Sequence, residues 1–170
     1  MNPLRHFDLF GFLFLLIFRM GWAKPVNIDV RYLKNPKRDI AVISLAGPLS
    51  NFALAFVSSF LYVLAVRVGA SFSFLSSSFF LVLLSVLSAM ITINLGLGIF
   101  NLIPIPPLDG SKILYAFLPY QVLFKIRGYE RYMTLALFLL AFSGILSGPI
   151  YGMVELISGF FLNLAQGVIF

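Results

Sequence analysis

With 170 residues, 61% of them hydrophobic and only 11% charged, the chain is too apolar for a soluble domain and is typical of a multi-span membrane protein. The net charge of +6 comes from Lys and Arg between apolar runs, which is the pattern that sets membrane topology and not one that binds nucleic acid. The lack of cysteine excludes disulfides and thiolate metal sites. No linker divides the chain, so we expect one membrane-embedded domain over residues 1–170.

The N-terminal part combines a short apolar run with the most polar segment of the chain. Residues 9–18 are too few for a span, which needs about 20, so we expect a re-entrant or interfacial piece. Within residues 23–39, Val26, Ile28 and Val30 alternate with polar residues, and this period of two predicts a short strand. The segment is either a solvated basic loop at the bilayer surface or an exposed edge strand that pairs with an extended peptide.

Two long apolar runs predict membrane helices over residues 40–66 and 79–103. The first contains Ala-Gly-Pro-Leu-Ser-Asn at 46–51, whose small residues allow close contact between helices. Asn51, the last residue of this motif, has to face protein and not lipid. In the second run, Gly96 and Gly98 weaken the helix, which indicates close approach of a neighbour or a substrate.

The second run ends in Asn-Leu-Ile-Pro-Ile-Pro-Pro-Leu-Asp-Gly at 101–110. Three prolines remove backbone donors and cannot continue a helix. Non-helical backbone at membrane depth is tolerated only where protein covers it or water reaches it. Since a carboxylate inside a membrane indicates a functional site by default, Asp109 is the first candidate residue. The alternative is a helix-end residue bonded to nearby backbone donors.

The C-terminal part begins with a second basic segment, residues 111–131, and continues with apolar runs over 132–146 and 150–170. Ser147-Gly148-Pro149 is expected to join these runs, which form either one broken span or a hairpin of two. Glu155, in the last run, is interpreted as a hydrogen-bonding group that meets a lipid headgroup or another helix.

These elements together predict an all-α integral membrane protein with about four to five transmembrane or re-entrant helices and a short β-strand or hairpin. The basic segments 24–39 and 112–131 flank a pair of spans, whose connecting loop holds only Arg67. Both segments should therefore be cytoplasmic, which places the strand and Asp109 near the cytoplasmic end.

Four motifs, in this order, resemble the compact bacterial branch of the site-2 proteases, intramembrane zinc metalloproteases of peptidase family M50. They are Asn-Pro-Leu-Arg-His-Phe-Asp at 2–8, Gly-Trp-Ala-Lys-Pro-Val at 21–26, and the motifs at 46–51 and 101–110. The resemblance implies that Asp109 is the third zinc ligand, that Asn101 positions the substrate carbonyl, and that residues 22–32 present substrate. It also implies hydrolysis of membrane proteins with unwound transmembrane segments, at the bacterial cytoplasmic membrane.

The chain departs from the family pattern at the zinc site. The family's His-Glu-x-x-His helix, with two ligands and a general base, should lie upstream of Asn2 and is not among the 170 residues. A catalytic zinc needs about three protein ligands, and His6 with Asp109 makes two at most. We therefore expect that this chain as written does not form the full zinc site. Either the start was assigned too late or the chain is a true truncation.

Two other classes of function stay open. A catalytically dead relative could still bind and shield transmembrane segments, because it needs the groove but not zinc. Alternatively, broken helices with intramembrane Asn94, Asn101 and Asp109 are typical of transporters and channels. The lack of an internal repeat speaks against this third interpretation.

Overall fold

The computed structural model describes residues 33–71 and 78–169, and every regular element in these two ranges is an α-helix. The predicted strand at Val26, Ile28 and Val30, the apolar run 9–18 and His6 lie outside the described residues. The helices are α1 (Pro36–Ser71), α2 (Ser78–Asn101), α3 (Asp109–Phe117), α4 (Tyr120–Arg127), α5 (Glu130–Phe142) and α6 (Ser147–Ile169).

Three of these helices are long and apolar enough to cross a membrane: Pro36–Ala70, Ser78–Asn101 and Ser147–Ile169. Helix α5 has 13 residues, which at about 1.5 Å per residue cannot cross a hydrocarbon core of about 30 Å. The described residues thus contain three candidate spans. The four to five that we predicted are not confirmed by them.

The core lies where α1, α2 and α6 meet. Ala55 of α1, Ile91, Leu95 and Ile99 of α2, and Val154 of α6 form one buried cluster. Helix α2 packs along α6. Phe56 of α1 meets Phe161 of α6 edge to face, with ring centroids 5.2 Å apart. Most other large apolar side chains of these helices are exposed, as expected for surfaces that face lipid.

Two boundaries in the C-terminal part differ from the prediction. The connection between the last two apolar runs is residues 143–146, with Gly144 at φ 76°, and not Ser147-Gly148-Pro149. Those three residues form the first turn of α6, where a proline is tolerated because its missing N–H has no helical partner to lose. The basic segment 111–131 folds into most of α3, all of α4 and the first two residues of α5, and Leu118-Pro119 separate α3 from α4.

We predict that Leu95→Ala destabilises the protein by about 2–4 kcal/mol, because the side chain is fully buried among α1, α2 and α6 and its removal leaves a cavity. The measurement is unfolding in detergent followed by circular dichroism. Leu97→Ala is the matched control on the same helix, since Leu97 is 48% exposed. Equal losses for the two variants would contradict the position of the core.

Candidate functional site

The site is a turn at the end of α2. The N–H of Leu102 donates to the carbonyl oxygens of Gly98 (3.2 Å) and Ile99 (3.1 Å), which closes the helix. The chain then continues through Pro104, Pro106 and Pro107, which cannot donate backbone hydrogen bonds. The Pro106–Pro107 peptide is cis. This irregular stretch ends at Asp109, the first residue of α3.

Gly110 fixes how closely the turn approaches α2. A Cβ atom at Gly110 would lie 2.5 Å from the carbonyl carbon of Leu102 and 2.6 Å from the carbonyl oxygen of Ile103. Such distances leave no room for any side chain. The start of α3 is therefore folded back against the end of α2, and Asp109 is held by backbone packing.

The Asp109 carboxylate has two different surroundings. Its Oδ1 accepts a hydrogen bond from Lys112 Nζ at 2.8 Å, within the first turn of α3. Its Oδ2 points to α1, 3.5 Å from where a Cβ of Gly47 would lie. The side chain is 30% exposed. The motifs at 46–51 and 101–110, far apart in sequence, are thus brought together at this carboxylate.

The predicted close approach around the α2 glycines is confirmed at one of the two positions. A Cβ at Gly98 would lie 3.3 Å from the Phe52 ring and 3.4 Å from the carbonyl oxygen of Pro48, so α1 and α2 are in near contact there. A Cβ at Gly96 would meet nothing within 4 Å. Gly98 therefore brings α1 next to the proline turn.

Within the described ranges, the other predicted site residues show no such close contact with the turn. Asn101 is the last residue of α2 and is half-buried, and no hydrogen bond among the described residues joins its side chain to Asp109. Asn51 is also half-buried. The predicted substrate-binding strand at Val26, Ile28 and Val30 lies outside the described ranges, so its role stays a prediction.

Two long-range contacts, one at the turn and one after the end of α3, were not predicted from the sequence. Thr134 Oγ1 on α5 donates to the carbonyl oxygen of Pro106 at 3.4 Å, and Lys37 Nζ on α1 donates to the carbonyl oxygen of Leu118 at 2.7 Å. No local pattern predicts these long-range pairs. The ion pair of Asp109 with Lys112 could have been found, because residues three apart on a helix are neighbours.

The described residues of this turn offer one side chain that could bind a metal ion, the carboxylate of Asp109. Across residues 33–71 and 78–169, no three His, Asp or Glu side chains are grouped so that they could hold a metal ion. Since a catalytic zinc takes about three protein ligands, the described residues alone do not fit one. Asp109 can supply a single ligand, because Lys112 binds its Oδ1 while its Oδ2 faces Gly47, which has no side chain.

Comparison with known proteins agrees with the motifs. The model of peptidase family M50 matches residues 10–143. The Bacillus subtilis protein named "Putative zinc metalloprotease YwhC" is 39% identical over 136 residues, which cover 78% of this chain and 59% of that protein. A Methanocaldococcus jannaschii protein of the same designation is 37% identical over 108 residues, covering 62% of this chain and 49% of that protein. The chain thus spans about half to three fifths of these relatives. No solved structure matches it.

Proposed function

The chain belongs to peptidase family M50, and on that premise we propose that it acts in an intramembrane zinc metalloprotease of the site-2 type, to which it contributes Asp109 as a zinc ligand. The observation that carries the proposal is the meeting of the 46–51 and 101–110 motifs at the Asp109 carboxylate. A carboxylate at the start of a helix whose backbone is closely packed at Gly110 is suited to ligation, because the backbone fixes where the side chain begins.

The proposal gives a role to three residues at or beside the turn: Asp109, Lys112 and Asn101. Zinc, when bound, would polarise the scissile carbonyl and activate a water molecule. Asp109 offers Oδ2 as the ligand atom, while Lys112 holds Oδ1 and so orients the carboxylate. Asn101, at the end of α2, offers an amide that positions the substrate carbonyl. In this proposal the other two zinc ligands come from a His-Glu-x-x-His helix, which is not among the 170 residues.

The proposed substrate is a membrane protein whose transmembrane segment has been unwound. Backbone in an extended form can pair with an edge strand, and Val26, Ile28 and Val30 supply that edge in the proposal. The enzyme would work at the cytoplasmic end of its spans in the bacterial inner membrane, since the basic segments favour that orientation. The three candidate spans support a location in the bilayer.

The proposal is tested by zinc stoichiometry with and without a His-Glu-x-x-His helix. We expect the 170-residue chain alone to retain clearly less than one zinc per molecule and to leave a membrane-protein substrate uncut. Fusion of such a helix ahead of Asn2 should restore one zinc per chain and cleavage, both measured after reconstitution in liposomes. A fused chain that binds no zinc would refute the proposal. The intact mass from native membranes shows which of the two forms cells contain.

A further inference from the structure

The surface formed by α4 and its flanking residues differs from the lipid-like exterior of the spans because it mixes aromatic rings with basic side chains. We call it the basic-aromatic surface and define it by Phe117, Tyr120, Phe124, Lys125, Arg127 and Arg131, all of which are exposed. In the sequence it lies between the candidate spans α2 and α6 and belongs to neither. It also takes no part in the zinc chemistry proposed for Asp109.

The rings of this surface are turned outward by the geometry of α4. Tyr120 and Phe124 are four residues apart and share one side of the helix, while Leu123 and Ile126 are half-buried on the other. Phe124 is 82% exposed, and Phe117, at the end of α3, is 81% exposed. Apolar rings so exposed need an apolar environment on their outer side.

The charges of the surface are unbalanced. Glu130 is the only acidic residue between 111 and 142, and it is half-buried near Tyr115. Burial raises the pKa of the Tyr115 hydroxyl and the nearby Glu130 carboxylate raises it further, so Tyr115 stays neutral. No ion pair joins Lys125, Arg127 or Arg131 to another of the described residues. The surface therefore presents an excess of positive charge.

A contact with α1 places this surface at the end of a span. Lys37, the second residue of α1, donates to the carbonyl oxygen of Leu118 at 2.7 Å, and its Nζ lies 3.7 Å from the centroid of the Tyr120 ring. Because Lys37, Arg38 and Asp39 directly precede the apolar run of this candidate span, we expect this end of α1 at a membrane boundary. Aromatic rings together with Lys and Arg are the residues that favour this boundary.

We propose that the basic-aromatic surface binds anionic phospholipid headgroups of the leaflet that it faces. Lys125, Arg127 and Arg131 would donate to phosphate oxygens, and the rings of Phe117 and Phe124 would lie among the upper acyl chains. The surface is joined to the catalytic turn through α3 and through the hydrogen bond of Thr134 to Pro106. Headgroup binding would therefore also hold that turn at its depth in the membrane.

The test uses the full 170-residue chain, purified in mild detergent and exposed to an equimolar mixture of phosphatidylglycerol and phosphatidylcholine. Native mass spectrometry counts the lipids retained. We expect the wild type to prefer phosphatidylglycerol by about tenfold or more, since each basic residue near an anionic surface adds to the attraction. The triple variant Lys125→Gln, Arg127→Gln, Arg131→Gln should retain the two lipids about equally.

The matched control keeps the charge and changes only the side chains: Lys125→Arg, Arg127→Lys, Arg131→Lys should keep the preference. If the neutral triple variant is misfolded, the single variants Lys125→Gln and Arg127→Gln replace it, and each should lower the preference in part. Equal retention by wild type and neutral variants overturns the proposal. A second measurement is the unfolding temperature of the wild type with added ligand. The proposal is also overturned if inorganic phosphate or single-stranded RNA raises that temperature as much as phosphatidylglycerol does.

Discussion

Gly110→Ala is expected to prevent the proline turn from forming. The added methyl group would overlap the backbone carbonyl groups of Leu102 and Ile103, at 2.5 Å from the carbon of the first and 2.6 Å from the oxygen of the second. Backbone cannot rotate away as a side chain does, so α3 would have to move off the end of α2. Overpacked sites typically lose about 1–3 kcal/mol, and a clash with backbone belongs at or above the upper end of that range.

Gly96→Ala is the control for this experiment. It adds the same methyl group in α2, where nothing lies within 4 Å, and alanine favours a helix over glycine by about 1 kcal/mol. Thermal unfolding in detergent should fall for Gly110→Ala and stay level or rise for Gly96→Ala. Limited proteolysis should show cleavage near residues 102–110 only in the first. If Gly110→Ala is as stable as wild type, the packing described here for α3 is wrong.

Asp109→Asn is expected to abolish zinc retention while leaving the fold nearly intact. The carboxamide keeps the shape of the side chain but is a poor zinc ligand. Changes in groups that only support a ligand lower metal affinity by about 10–100-fold, so loss of the ligand itself should exceed about 100-fold. Loss of the partly exposed pair with Lys112 should lower stability by about 1 kcal/mol at most. Zinc content and unfolding temperature of the helix-fused chain separate the two effects.

Lys112→Gln serves as the control for Asp109→Asn, because it removes the same ion pair and leaves the carboxylate in place. We expect this variant to lose the same small amount of stability and to bind zinc about 10–100-fold more weakly, a smaller loss than that of Asp109→Asn. Should both variants lose zinc equally, the ion pair and not the carboxylate would be the requirement. Should neither lose it, Asp109 would not be a ligand.

The two long N-terminal helices were predictable from the sequence because their apolar runs are long and end in clear breaks. The predicted helices 40–66 and 79–103 correspond to Pro36–Ser71 and Ser78–Asn101. The first extends beyond its apolar run at both ends, since a proline is tolerated in the first turn of a helix and Lys, Arg and Ala are good helix formers. Pro48 did not break it, because a single proline removes one hydrogen bond from a helix that many others stabilise.

The C-terminal boundaries were less predictable because a proline and a glycine have different meanings at different helix positions. Pro149 in the first turn of α6 is compatible with helix, whereas Gly144 at φ 76° ends α5. From the sequence alone, without tertiary contacts, both residues predict only the end of a helix. Nor can it show that α5 stops after 13 residues, short of a span.

The candidate site was predictable as a set of motifs but not as a geometry. The prolines and Asp109 indicated the turn, and the family resemblance predicted that Asp109 is a zinc ligand. That Gly47 faces Asp109, and that Thr134 bonds to Pro106, depends on how α1 and α5 pack against the turn. Such contacts between distant residues follow from the assembled fold and have no local signature.

The backbone hydrogen bonds of the proline turn limit which peptides can pair with it. Between residues 104 and 108, only Ile105 and Leu108 have an N–H, and these already donate to the carbonyl oxygens of Ile103 and Ile105 at 2.8 and 3.0 Å. The stretch can therefore accept hydrogen bonds but has no free amide to give. A peptide running beside it must supply the donors itself, and a proline or an N-methylated residue at that point would be rejected.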